Sequence, residues 1–242
     1  MRILVISDVH ANLTALEAVL ASAKPFDTVW CLGDLVDYGP DPNECVERIR
    51  SLPNLYCVMG NHEAAVLGLL PDESFNSDAR KSARWTHDRL NASNREYLQN
   101  LPESLTVDIA TLVHGSPRFP IWEYILDTWT ATENFESFDT QLCLIGHSHV
   151  PVAFFSSEPD GEIVWSLLKH ESILQLDGRA ILNPGSVGQP RDGDPRASYA
   201  IFEPENNTWQ NIRVDYDIKG VQKRILKAGL PRNHATRLSS GA

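Results

Sequence analysis

The chain has 242 residues, 42% hydrophobic and 22% charged, and its 32 acidic against 21 basic side chains give a net charge of −11. That balance argues against a sequence-independent nucleic-acid binder, which needs a basic surface to neutralise phosphates, and so against a nuclease. No run approaches the roughly 20 apolar residues that a membrane span needs, and the length suffices to bury a sizeable core.

The chain opens on "MRILVISDVH", a short apolar run that ends in charge and does not read as a signal peptide. Ile3 to Ile6 is the first expected strand, and Leu13, Leu16 and Leu20 then recur at helical spacing. "FDTVWCLGD" is the second strand. It leads to a helix in "DPNECVERIRSL", with Asp41 as N-cap, Pro42 at the first helical position and Glu44 completing a capping box. "LYCVMGNHE" is the third strand and feeds a helix from about Glu63 to Leu70. Two further helices follow, "DARKSARWTHDRL" and one opened by Ser93 with Glu96, the latter closed by Pro102.

"LTVDIATLVHGSP" and "QLCLIGHSHVP" are the next strands, with a short helix in "TATENFESF" between them. From Pro151 the texture turns to β. "VAFFSSEPDGEIVWSLL", "ESILQLDGRAIL" and "ASYAIFEPENNTWQNIRV" each carry hairpin turns of Asp, Gly, Asn or Pro. A helix from about Val221 to Ala228 and a fraying polar tail close the chain. With no linker in view, residues 1–242 read as one α/β (α+β) domain with a β-rich second half and two packed sheets flanked by helices. Cys31, Cys45, Cys57 and Cys143 show no CxxC spacing, so they read as reduced thiols in a cytoplasmic protein.

Each apolar strand of the first half ends in residues that ligate metals. The ends are "SDVH" (Asp8, His10), "GDLVD" (Asp34, Asp37), "GNHE" (Asn61, His62, Glu63), "HGSP" (His114) and "GHSH" (His147, His149). Alone, each has an ordinary reading: a surface loop, a turn cap, a left-handed Asn, a satisfied core histidine. Five strands ending this way point instead to a shared metal site, because ligands gather beyond the carboxyl ends of strands in open α/β sheets. His87, His170 and His234 fall outside these loops and read as surface or packing residues.

The ordered set D-x-H, G-D, G-N-H-E, H and G-H-x-H resembles that of the calcineurin-like metallophosphoesterases. The later "LNPGSVGQPRDGDPRASYAIFE" looks like the small bacterial branch of that family. The resemblance implies a two-sheet αββα sandwich and two divalent ions. It assigns Asp8, His10 and His149 to one ion, Asp34 as the bridge, and Asn61, His114 and His147 to the second. His147 and His149 then serve different ions, reached by extended backbone that points residues i and i+2 the same way. Oxygen and imidazole ligands without thiolate suit manganese, iron, zinc, cobalt or nickel, with manganese favoured.

The resemblance further implies hydrolysis of a small soluble phosphate ester, such as a nucleotide, by a metal-bridging hydroxide. His62 is the implied general acid at the leaving oxygen, and Asp37 the carboxylate that orients it. Related members include phosphodiesterases, diadenosine tetraphosphate hydrolases and phosphatases. Tyr38 and Met59 stand where the Ser/Thr protein phosphatases carry arginines, so a protein phosphatase is disfavoured. In "GSVGQPRDGDPR", Gly185, Gly188 and Gly193 suggest a turn whose N–H groups approach an anion, and Arg191 is a candidate phosphate clamp. The ordinary reading of Arg191 and Arg196 is ion pairing with Asp192 and Asp194. The family fold also serves as a non-catalytic protein-binding scaffold where the catalytic histidine is lost, and retention of His62 argues against that alternative.

Overall fold

The structure is a computed structural model that describes residues 1–71, 74–156 and 161–242. Strand β1 (Ile3–Ile6) shows how the layers arise. Ile3 and Val5 enter a core that also holds Leu142, Leu144 and Leu182, while Leu4 and Ile6 enter one shared with Leu16 and Leu20. A continuous apolar run is what a strand covered on both faces requires.

β1 lies inside a six-stranded mixed sheet. Its order is β3 (Leu55–Cys57), β2 (Thr28–Cys31), β1, β11 (Ala197–Glu203), β12 (Thr208–Val214), β9 (Ile173–Gln175). The second sheet runs β4 (Ser104–Val107), β5 (Ala110–Val113), β6 (Leu142–Leu144), β10 (Ala180–Asn183), β7 (Val152–Ser156), β8 (Ile163–Leu167). β1, β2 and β3 are mutually parallel, as are β5, β6 and β10, so each set delivers its C-terminal loops to one edge.

The faces pack on each other through Trp30, Leu112, Leu144, Phe202 and Trp209. Helices α1 (Leu13–Ala23), α2 (Pro42–Arg50) and α5 (Ala92–Gln99) cover the first sheet, and α6 (Thr128–Phe135) covers the second. The expected αββα layering is observed. α3 (Asn61–Val66) and α4 (Ser77–His87) follow the third strand. Among the described residues no helix is long and apolar enough to cross a membrane.

Several local expectations are corrected. "LTVDIATLV" is not one strand but the hairpin β4–β5, turning at Asp108 with φ +50°. In "ESILQLDGRAIL" the segments β9 and β10 do not pair; the Asp177–Gly178 turn carries the chain from the edge of one sheet to the middle of the other. The β7–β8 and β11–β12 hairpins form as expected, the first with its turn at 157–160 outside the described residues. α3 ends four residues earlier than expected.

Capping also differs. Asp41 sits at the N-cap of α2, but its side chain bonds no helical N–H there. Its carboxylate instead meets Arg224 of α7 (Ile218–Lys227) at 2.5 Å, a long-range partner that local spacing does not disclose. Asn91, rather than Ser93, caps α5 by accepting from the Asn94 N–H at 2.8 Å.

The expected tail is a helix, α8 (Arg232–Ser240), that buries Ala235 and Leu238 against Val221 and Ile225 of α7. It also buries His234, whose ring lies 4.5 Å from Tyr38.

Candidate metal centre

Asp8 and His10 follow β1, Asp34 and Asp37 follow β2, Asn61 and His62 follow β3, His114 follows β5, and His147 and His149 follow β6. All nine are buried and converge at one edge of the sandwich. The loops reach this packing through strained backbone. Eight of the twelve non-glycine residues with positive φ among the described residues lie here: Asp8, His10, Ala11, Asp34, Asp37, Tyr38, His147 and His149. Strain concentrated this way marks a site that the surrounding structure holds in place. His147 and His149, at φ +63° and +60°, are therefore left-handed rather than extended. Their rings diverge, His149 stacking on His10 at 4.8 Å and His147 meeting His114 edge-on at 5.0 Å.

Two groups of candidate ligand atoms result. Asp8, His10, Asp34 and His149 form one, and Asp34, His114 and His147 the other, each with its atoms within 4.8 Å of one another. Asp34 belongs to both. Its Oδ1 accepts from the His62 backbone N–H at 3.0 Å, while Oδ2 lies 3.1 Å from His114 Nε2 and 3.7 Å from His10 Nε2. Asn61 joins the second group through Oδ1, 3.0 Å from His114 Nε2.

Each histidine of the two groups rests one ring nitrogen on a main-chain carbonyl, to which that nitrogen donates. The pairs are His10 Nδ1 with Val36 (3.3 Å), His114 Nδ1 with Leu32 (2.8 Å), His149 Nδ1 with Gln189 (2.5 Å) and His147 Nε2 with Trp122 (3.2 Å). Such partners fix tautomer and ring orientation. They leave the Nε2 lone pairs of His10 and His149 facing each other at 3.2 Å. Among the described residues neither oxygen of the fully buried Asp8 has a hydrogen-bond partner. Buried, unpaired acceptors that face one another need a cation between them. The donor set therefore fits divalent ions of the kind that oxygen and imidazole hold.

Electrostatics agrees. Burial pushes the Asp8 carboxyl up to about 6 and holds His10, His147 and His149 well below the ordinary imidazole range. Burial alone would lower His114 too, but the Asp34 carboxylate overcomes it and raises that ring to about 9. His62 likewise loses to burial less than it gains from Asp34 and from its 2.7 Å bond to Asp37, and ends raised.

Glu63, which the sequence offers as one more metal-ligating residue type and to which the resemblance gives no role, anchors the centre. Its buried carboxylate accepts from the N–H groups of Asp34 (2.7 Å), Leu35 (2.7 Å), Val36 (3.2 Å) and Gly60 (2.8 Å), tying the second-strand loop to the third. The loops are so close that a Cβ on Gly60 would meet Asp34 Oδ1 at 2.1 Å. Glu63→Gln turns one acceptor into a donor aimed at those N–H groups. It is expected to lower unfolding stability by about 1–3 kcal/mol, read by chemical denaturation of chelator-treated protein. Unchanged stability would remove Glu63 from this role.

The expected glycine cradle does not form. The N–H groups of Gly185, Gly188 and Gly193 donate to Asn183 Oδ1 and to the carbonyls of Asp8 and Gly241, so none is free for an anion. The two arginines of that segment part company. Arg196 pairs with Asp194 at 2.7 Å and Asp192 pairs with Arg213, whereas Arg191 reaches toward the centre. There it donates to Gln189 Oε1 at 3.3 Å, and its charge bears on Asp8, His10, His62 and His149. Aromatic rings also border the centre. Tyr38 packs on His10 and His62 at 4.5 Å each, while Phe75, Trp122 and Tyr124 line the same rim. The last three carry no sequence signal, since nothing local says that their loops reach the strand ends.

Comparison with known proteins gives these residues a context. The family described as calcineurin-like phosphoesterase superfamily domain matches residues 1–207. An uncharacterized protein of Methanocaldococcus jannaschii is 40% identical over 248 aligned positions, covering 99% of this chain and 98% of that one. The crystal structure of a metallophosphoesterase from Sphaerobacter thermophilus superposes with a TM-score of 0.92 at 49% identity, covering 100% of this chain and 99% of that chain. A symmetrical bis(5'-nucleosyl)-tetraphosphatase from Pectobacterium atrosepticum is 37% identical over 75 residues, 29% of this chain and 27% of that protein.

Proposed function

The chain belongs to the calcineurin-like phosphoesterase superfamily and is a metal-dependent phosphoesterase, and from that premise we propose that it hydrolyses a small phosphate ester, such as a nucleotide, at a pair of divalent ions. The observation that carries the pair is Asp34, whose one carboxylate serves both ligand groups. Asp8, His10 and His149 would hold one ion and Asn61, His114 and His147 the other, with manganese the favoured metal. Divalent ions supply Lewis acidity, polarising a phosphoryl group and acidifying water. The 75-residue likeness to a nucleosyl tetraphosphatase supports a nucleotide as the ester. We assign the chain to the cytoplasm, a reading supported by its four buried free cysteines.

The chain's own residues do the rest. Asp37 accepts from His62 Nδ1 at 2.7 Å, which fixes the ring and leaves Nε2 to give a proton to the leaving oxygen. Arg191 supplies positive charge in a protein that is otherwise strongly acidic, and its planar fork suits a phosphate oxygen pair. Arg191→Lys is expected to raise KM about tenfold, the loss of about one charge-assisted hydrogen bond, with metal content unchanged. Equal KM values for p-nitrophenyl phosphate and for a nucleotide, in variant and wild type, would remove Arg191 from the site.

The reading is tested by incubating the protein with p-nitrophenyl phosphate and its bis ester in manganese, iron, zinc and nickel. Release of nitrophenol that a chelator abolishes is the expected result. No release with any metal on either ester would favour the non-catalytic scaffold.

A further inference from the structure

Phe75, Trp122 and Tyr124 form a run of rings along one side of the metal centre. Phe75 meets His62 edge-on at 5.2 Å and packs on Trp122 at 5.4 Å. Tyr124 lies flat on His147, 3.7 Å between centroids and 17° between planes, with Trp122 6.5 Å from the same imidazole. The run therefore extends from the proposed proton donor to a proposed ligand.

Among the described residues none of the three rings joins a hydrophobic core. Phe75 and Trp122 are half-buried and Tyr124 is 44% exposed. The loop that carries two of them is nevertheless held firmly. Glu123 accepts from Ser116 Oγ at 2.7 Å and Asn134 Nδ2 at 2.8 Å and pairs with Arg118, while the Trp122 carbonyl holds His147. Ring surface kept partly open on a rigid loop beside a polar centre is a preformed surface for a ligand.

We propose that Phe75, Trp122 and Tyr124 are a stacking wall for a flat aromatic group of the substrate, either a nucleobase or an aryl ring. The proposal rests on the phosphoesterase reading and names the substrate class within it. Ring stacking tolerates any base, because every base presents a π-face, and the wall would select for flatness rather than for one base.

Trp122→Leu and Phe75→Leu keep apolar bulk and remove a flat face. With the manganese-loaded full chain, kcat/KM is read for adenosine monophosphate, phenyl phosphate and glycerol 3-phosphate. The ratio of each ring-bearing ester to glycerol 3-phosphate is expected to fall about 5- to 150-fold, the span that loss of one stacked ring gives. A fall for adenosine monophosphate alone identifies a nucleobase, and a fall for phenyl phosphate alone an aryl ring. Trp122→Phe, which keeps a flat ring, is expected to restore most of the ratio, and metal content is measured on every variant. Unchanged ratios, or equal losses on all three esters, would overturn the wall. Should wild type hydrolyse none of the three, the phosphoesterase reading is judged by the p-nitrophenyl esters and the wall by binding. Adenosine monophosphate or phenyl phosphate should quench tryptophan fluorescence in wild type and not in Trp122→Leu, and absence of quenching in wild type overturns it.

Discussion

Asp34→Asn is expected to empty both ion sites together. The carboxylate is the one group shared by the two ligand sets, and its Oδ2 lies within 3.7 Å of imidazoles from each. Replacing it by an amide removes a full negative charge that faces both ligand groups. The loss for each ion should exceed the roughly 10- to 100-fold that follows when only an outer partner of a ligand is removed. The fold should persist, because the amide oxygen of the substituted side chain can still accept from the His62 N–H as Asp34 Oδ1 does at 3.0 Å. Elemental analysis after dialysis, beside a far-ultraviolet circular dichroism spectrum, reads both expectations. Two ions retained at wild-type occupancy would refute the bridge, and one retained would reassign Asp34 to a single ion.

His62→Ala is expected to separate chemistry from metal binding. His62 belongs to neither ligand group, and its backbone N–H, which the substitution keeps, is what holds Asp34. Metal content should therefore stay near wild type while turnover falls by about 100- to 10,000-fold, the usual range for a lost general acid. The loss should be greatest for alkyl leaving groups and shrink for p-nitrophenol, which departs without a proton. A uniform loss across leaving groups would mean that His62 acts on the phosphoryl group instead. Asp37→Asn should fall between the two, since the ring remains but its 2.7 Å acceptor is weakened.

That Asp8, His10, Asp34, Asn61, His114, His147 and His149 gather follows from their positions just past strand ends, and the sandwich follows from continuous apolar runs such as Ile3 to Ile6. Both are strand-end and apolar-run arguments, which depend on residues near one another in sequence. The mechanism offered for the His147–His149 spacing did not hold in the same way. Hydropathy does not report the sign of φ, and both residues adopt left-handed backbone.

What needed the fold involves partners far apart in the chain. Glu63 binds N–H groups 27 to 29 residues away, and Asp41 is drawn from its helix cap by Arg224, 183 residues on. Arg191 parts from Arg196 because Asp194 and Asp192 are already claimed by Arg196 and Arg213. α8 becomes ordered because Ala235 and Leu238 have α7 to pack on, and in doing so it brings His234 against Tyr38. The amino-acid sequence by itself determined which residue types stand at the strand ends, and with them the chemistry available. Tertiary structure alone decided what holds their loops and which rings line the rim. Strand patterning is a local property of side chains, whereas a hydrogen bond or ring contact between distant loops exists only once both loops are in place.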